Sequence, residues 1–423
     1  MITLFRRLRR PADAARTFYL FDAGFAGFNA LAFTLVMVYQ VQVVGLTPLQ
    51  LVVVGTVMEA TCFLGEIPTG VIADRYSRRL SVLIGLPIIG AAIILQGAVP
   101  EFAAILVAQV IWGIGWTFVS GANQAWITDE VGVDAVQPVL TRGHQLALGL
   151  SFAGTVLAGV LGLVALQLPI IVGGIGFVIL AGVLALIMPE RNFTPDPDAR
   201  AGTAWATLLG TFRSGLGQVR RRPLVRWFFV ISLLFGLSSE VIDRLWTARI
   251  LETFTLPTVF GRTEPALWFA AFAVIGSLIS MISSIVVNRA APGLVTGARP
   301  GRVLAVLVLV QAGAVLLLAL SGHLWLAMAA VWLRLAAGSI AYPIQATWLN
   351  RQLESKSRAT VLSMNGQADA IGQVVGGPPL GALAGLTSIP VALVGSALIM
   401  SPAAALYVRL GGRRKRSLVS ESR

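Results

Sequence analysis

Long apolar runs without a single charged residue, separated by short polar breaks, dominate this chain. Ala23 to Met58, Leu80 to Pro100, Phe102 to Thr128, Gln145 to Pro189, Val303 to Leu333 and Ala370 to Val408 are the main ones. A helix crosses the hydrocarbon layer in about 20 residues, so each run holds one crossing and the longest hold two. Breaks at charge clusters and at proline, glycine and polar punctuation predict twelve spans. They lie near 18–42, 49–72, 80–99, 102–126, 143–166, 169–188, 224–248, 265–287, 302–321, 324–348, 360–386 and 389–408.

Composition agrees, with 56% apolar and 12% charged residues. The charge sits almost entirely on one side. With the amino terminus inside, all of the 32 basic residues except Arg244, Arg249, Arg262 and Arg334 fall in cytoplasmic segments. The opposite loops Val44–Pro48, Leu166–Pro169, Ser321–Leu324 and Thr387–Pro390 carry none. Positive charge retains loops on the inner side, so an even number of spans and two cytoplasmic termini follow. The net charge of +13 then reflects topology and attraction to anionic membrane lipid, and a nucleic-acid partner has no soluble domain to bind. Arg6 to Arg10 imitate the start of a signal peptide, but the following run is too long and lacks a small-residue cleavage site, so it stays as a span.

Two other classes recede for lack of parts. Cys62 is the single cysteine, and the two histidines, His144 and His323, stand in different halves, so no disulfide framework and no metal site are expected. No glycine-rich phosphate loop with a following lysine is present, which argues against an enzyme or an ATP-driven pump, and no cofactor is expected.

Composition shifts once. Residues 1–188 read as an N-terminal six-helix bundle, 189–223 as a cytoplasmic linker and 224–423 as a C-terminal six-helix bundle with a basic tail. In the linker Trp205, Leu208, Leu209, Phe212, Leu216 and Val219 recur at helical spacing, predicting an amphipathic helix on the inner leaflet. The halves repeat distantly: Gln124-Ala-Trp126 precedes Asp129-Glu130, and Ala346-Thr-Trp348 precedes Asn350-Arg351. Such symmetry marks transporters built from duplicated bundles.

The connection between the second and third spans reads Gly70-Val-Ile-Ala-Asp74-Arg75-Tyr-Ser-Arg78-Arg79. It resembles the signature loop of the major facilitator superfamily, and twelve spans with a long central loop extend the resemblance over nearly the whole chain. Arg334-Leu-Ala-Ala-Gly338 is similar to the family's Arg-x-x-x-Gly pattern, though it stands in the tenth span and Gln109-Val-Ile-Trp-Gly113 in the fourth lacks the arginine. Gly376-Gly377-Pro378 is similar to the antiporters' Gly-Pro motif, displaced from the fifth span to the eleventh. The resemblance implies an all-α integral membrane fold of two pseudo-symmetric six-helix bundles. It also implies a conformational latch made of Gly70, Asp74, Arg75, Arg78 and Arg79 with Asp129 and Glu130. Asp74 would cap the eleventh helix near Ala359–Thr360, and Arg75 and Arg78 would meet Asp129 or Glu130. Plain retention of the loop by positive charge is the other reading.

By the same resemblance the first, fourth, seventh and tenth spans line a central cavity. At helical spacing they offer Asn29, Phe33, Trp112, Trp116, Asn123, Arg334, Tyr342 and Gln345 as substrate-facing candidates. Aromatic faces with a few acids suit amphipathic or cationic organic molecules. Each tryptophan has the plainer alternative of packing or anchoring an interface. Acids inside spans are expensive and usually functional, and a carboxylate in a low-dielectric cavity holds a proton more readily. Asp22, Glu59, Glu240 and Asp369 are therefore the proton-coupling candidates. Glu240, Asp243 and Arg244 stand at i, i+3 and i+4, so an intrahelical ion pair explains that group equally well. Asp369 has Asn365 and Gln373 one turn to either side.

The expected function is secondary active transport: proton-coupled antiport that exports amphipathic or cationic organic small molecules by alternating access, as a monomer. The scarcity of lysine and the abundance of alanine and glycine suggest a GC-rich bacterial genome, hence a multi-pass protein of the bacterial inner membrane. Import of an anionic metabolite through Arg334 is the alternative within transport. A non-transporting receptor is the alternative outside it.

Overall fold

The computed structural model describes residues 13–195, 223–258, 261, 263–290, 300–351 and 355–421, and among them it contains helices and no strand. In chain order these are α1 Asp13–Phe33, α2 Val36–Gln42, α3 Pro48–Arg75, α4 Arg78–Ala98, α5 Phe102–Val131, α6 Val133–Gly162 and α7 Leu168–Ile187. They continue as α8 Pro223–Thr253, α9 Pro265–Ala290, α10 Pro300–Leu320, α11 Leu324–Arg351, α12 Ser355–Leu386, α13 Ile389–Met400 and α14 Pro402–Glu421. The amphipathic helix expected at Trp205–Val219 lies outside the described residues.

Among the described residues, eleven segments are long and apolar enough to cross a membrane, with α1 and α2 joined in one of them and α13 and α14 in another. The segment expected as the eleventh span is α12, 32 residues long. Its Asn365, Gln367, Asp369 and Gln373 make it less apolar than its neighbours. Twelve spans are expected from the sequence, and α12 is not among the eleven that meet the length and hydropathy of a crossing.

Helix ends depart from the hydropathy breaks in an instructive way. The pattern predicts a gap between 126 and 143, whereas α5 runs to Val131 and α6 starts at Val133. Hydropathy marks where the hydrocarbon stops, and a helix bearing Asp129, Glu130, Asp134 and Arg142 continues into water. Only Gly132 separates the two helices, at φ +85°, a left-handed conformation that glycine adopts without a Cβ clash. The first span, in turn, is broken at Thr34, whose hydroxyl donates to the Ala30 carbonyl at 2.6 Å and so competes with the helix ladder.

The chain divides into two compact units. The first comprises Met1–Gly45, Val57–Leu208 and Thr258–Ala271, and the second Leu46–Thr56, Leu209–Pro257 and Phe272–Arg423. In the first, α1 packs on α6 and α7, and α4 on α5 and α7. In the second, α8 packs on α12 and α13, and α10 on α11, α13 and α14. Counted in spans this is one pattern used twice, first–fifth and third–fourth against seventh–eleventh and ninth–tenth. The repeated tryptophans behave alike: Trp126 and Trp348 are both buried.

Lipid tails are as apolar as leucine, so helix association in a membrane depends on close backbone approach. A Cβ on Gly85 would sit 2.6 Å from the Gly115 carbonyl, and one on Gly372 2.6 Å from the Leu233 carbonyl. The α4–α5 and α8–α12 contacts thus depend on glycine.

Candidate functional site

The loop between α3 and α4 forms a clasp within the first unit. Ser77 caps α4 by accepting the Leu80 amide at 2.8 Å. The Arg78 guanidinium lies 3.2 Å from Asp74, forms an ion pair with Asp129 on α5 and donates to the Ala125 carbonyl at 3.2 Å. Glu190, just past α7, accepts from the Ser77 hydroxyl at 2.5 Å and from the Arg79 amide at 2.9 Å. Arg79 also donates to the Ala185 carbonyl at 2.7 Å. The Arg75 guanidinium lies 5.4 Å from the Tyr76 ring centre. Gly70 has open space where a side chain would begin.

Glu130 ties the end of α5 to the start of the linker. Its carboxylate accepts the Arg191 and Asn192 backbone amides at 2.6 and 3.1 Å. Residues at the end of a long helix find the nearest unpaired donors, and here those are the first amides of the linker. Trp126 reinforces the same spot by donating to the Pro189 carbonyl at 2.6 Å.

Further along the same unit an aromatic row joins α1 to α5. Phe33 stands edge-on to Trp112 at 5.9 Å, Trp112 stacks on Trp116 at 5.7 Å and 7°, and Trp116 lies 5.7 Å from Phe25. All four rings are half-buried. Among the described residues, the Trp112 Nε1 and the Asn123 Oδ1 are buried without a hydrogen-bond partner. Asn29 is half-buried on α1. Asp22, also half-buried, packs beside Gly143 of α6, where a Cβ would fall 3.2 Å from its Oδ2. Glu59 is half-buried on α3.

The second unit gathers the remaining candidates into one charge network. Glu240, 4% exposed, accepts from Arg244 at 2.8 Å. This is the intrahelical pair its spacing allows. Asp243, one turn from Glu240, accepts from Arg334 of α11 at 2.8 Å. Asp369 of α12 meets no arginine among the described residues: the Gln373 amide donates to it at 2.9 Å. Asn365, one turn away, accepts from Ser232 of α8 at 2.8 Å. Of the three carboxylates, two are paired with guanidiniums and Asp369 is held by an amide. Gly55 and Gly377 pack against this group, and a Cβ on Gly55 would collide with the Glu240 carboxylate. Gln345 is half-buried, while Tyr342 is 77% exposed.

A profile of the Major Facilitator Superfamily matches residues 1–140, the stretch that contains the signature loop. A relative from Bacillus subtilis (strain 168), the uncharacterized MFS-type transporter YxaM, is 20% identical over 332 residues, covering 78% of this chain and 79% of its own. These matches support a transporter of the major facilitator type. The chain is a membrane transporter of that type and not an enzyme. Its fold is also that of solved superfamily structures. The nucleoside transporter NupG aligns with TM-score 0.72 at 13% identity, covering 94% of this chain and 99% of that one. A bacterial homolog of the human lysosomal transporter Spinster, inward-facing and occupied, aligns with TM-score 0.71 at 15% identity over 96% and 97% of the two chains.

Two residues of this superfamily transporter escape the sequence reading. Glu190 stands more than a hundred residues from the loop it binds, and nothing local marks it. Asp243 looks like part of a helical pair, although counting charges within spans would have flagged Arg334 as needing an acid. A cleft of about 510 Å³ on the second unit is lined by Pro48, Arg249, Glu252, Thr387 and Ser388 among others, none of them a predicted site residue.

Proposed function

We propose that this transporter exports amphipathic organic cations in exchange for protons. The observation that carries the reading is the imbalance on α8, α11 and α12. Both arginines are engaged, Arg244 by Glu240 and Arg334 by Asp243, and Asp369 has only an amide among the described residues. A net negative group within spans favours a cation, and a proton or an organic ammonium satisfies that need in turn. Alternating access then links the two occupancies. Arg334 spends its charge on Asp243, which counts against its binding an anionic metabolite.

The signature-loop clasp serves this cycle as a latch, with Asp74 and Arg78 holding the loop in one arrangement. The distribution of arginines supports a bacterial inner-membrane location with both termini in the cytoplasm.

The test is flux in proteoliposomes with an imposed proton gradient, using tetraphenylphosphonium as the cation. Wild-type protein accumulates the cation against its gradient, and Asp369→Asn retains only downhill movement. Accumulation that ignores the proton gradient in the wild type would reject exchange.

A further inference from the structure

We infer that the aromatic row of the first unit reads an elongated substrate: a flat ring bearing a hydrogen-bond acceptor at one end, and an N–H donor at the other. The inference deepens the export reading, on which it rests, and takes this wall as substrate-facing as the family resemblance implies.

Two orphaned atoms carry it. The Trp112 Nε1 is a donor and the Asn123 Oδ1 an acceptor, and both are buried without a partner among the described residues. Buried polar groups are nearly always paired, so each orphan calls for a reason. Both stand on the continuous helix α5, eleven residues apart. That separation is three turns plus about 20°, so the two residues share a stripe with a rise of about 16 Å between them. Beside the indole donor stand the half-buried rings of Trp116 and Phe33. Rings of this kind offer faces and edges to a planar guest.

Trp112 and Trp116 differ in a useful way. They are near-parallel, yet only the Trp112 nitrogen is a buried orphan. Ring stacking alone would use them equally. Hydrogen-bond reading singles out Trp112. A ligand that accepts from Nε1 satisfies a donor that the protein alone leaves bare, so the bond adds to affinity without displacing an existing one. A terminal ammonium or amide N–H some 16 Å away does the same for Asn123.

Two probes separate these possibilities. Each has a polymethylene chain ending in a primary ammonium; one carries quinoline and the other naphthalene, the same flat bicycle without the ring nitrogen. Binding is measured by calorimetry on the purified transporter in nanodiscs, with no gradient present. The wild type is expected to prefer quinoline about fivefold, most clearly when the chain lets the ammonium reach about 16 Å from the ring. Trp112→Phe brings the two affinities within about twofold, Trp116→Phe keeps the preference, and Asn123→Ala weakens both probes alike. Equal binding of the two probes by the wild type, or a preference that survives Trp112→Phe, overturns the inference. The wild-type comparison decides even where a variant fails to fold. A clear preference without gradient-driven flux would sink proton exchange and leave this inference standing, and flux without preference would do the reverse.

Discussion

Arg334 and Asp243, 91 residues apart in the chain, meet at 2.8 Å between α11 and α8. Each makes the other tolerable inside a span, since an ionised side chain there is expensive alone. Asp243→Asn leaves the guanidinium without its counter-charge. Lower thermal stability in detergent and about tenfold slower transport are expected. Arg334→Gln alone should be similarly harmful. The double variant should recover most of the loss, giving a coupling energy of at least ~1 kcal/mol. Additive single effects would dissolve the pair as a functional unit.

Asp369 differs from its neighbours because no guanidinium among the described residues neutralises it. Asp369→Asn is expected to flatten the dependence of transport on external pH, while Asp369→Glu keeps it at reduced rate. The check is initial flux measured at a series of pH values with no membrane potential. A pH profile unchanged in Asp369→Asn moves the coupling role to Glu240, Asp22 or Glu59.

The carboxylate of Glu190 holds α4 by its first turn, accepting from Ser77 and Arg79. Glu190→Gln removes a charge-assisted acceptor and should destabilise the loop locally by about 1–2 kcal/mol. Hydrogen exchange of the amides at 78–81 reports this as about tenfold faster opening, with the bundle core unaffected. Glu130→Gln should instead speed exchange at 191–192, because its partners lie there.

Gly55 and Gly121 form a matched pair. A Cβ on Gly55 strikes Glu240 and Arg244, whereas one on Gly121 meets nothing within 4 Å. Gly55→Ala should therefore insert normally yet lose most transport, since the buried ion pair must shift. Gly121→Ala should behave as wild type. Surface expression beside flux separates a site effect from a folding effect.

The fold was legible because the bilayer imposes a simple rule on sequence. Uncharged runs such as Gln145 to Pro189 can hardly be anything but spans. Charged positions were legible singly, as Glu240, Asp369 and Arg334 attest, because each is costly where it stands. Their grouping was not: which acid meets Arg334 is decided by the packing of α8 against α11 and α12, and no spacing along the chain encodes it. Glu190 was hidden for the same reason, in a linker whose composition reads as mere solvation. Trp112 and Trp116 read as cavity or packing alike, and only the bare indole nitrogen distinguishes them.

The lone glycine between α5 and α6 leaves the adjoining ends of these two helices without slack. A tug on either shaft reaches the other at once, as through a knuckle. Lengthening that joint by even a short flexible insert, such as a peptide tag, would uncouple the two shafts while sparing every contact within each.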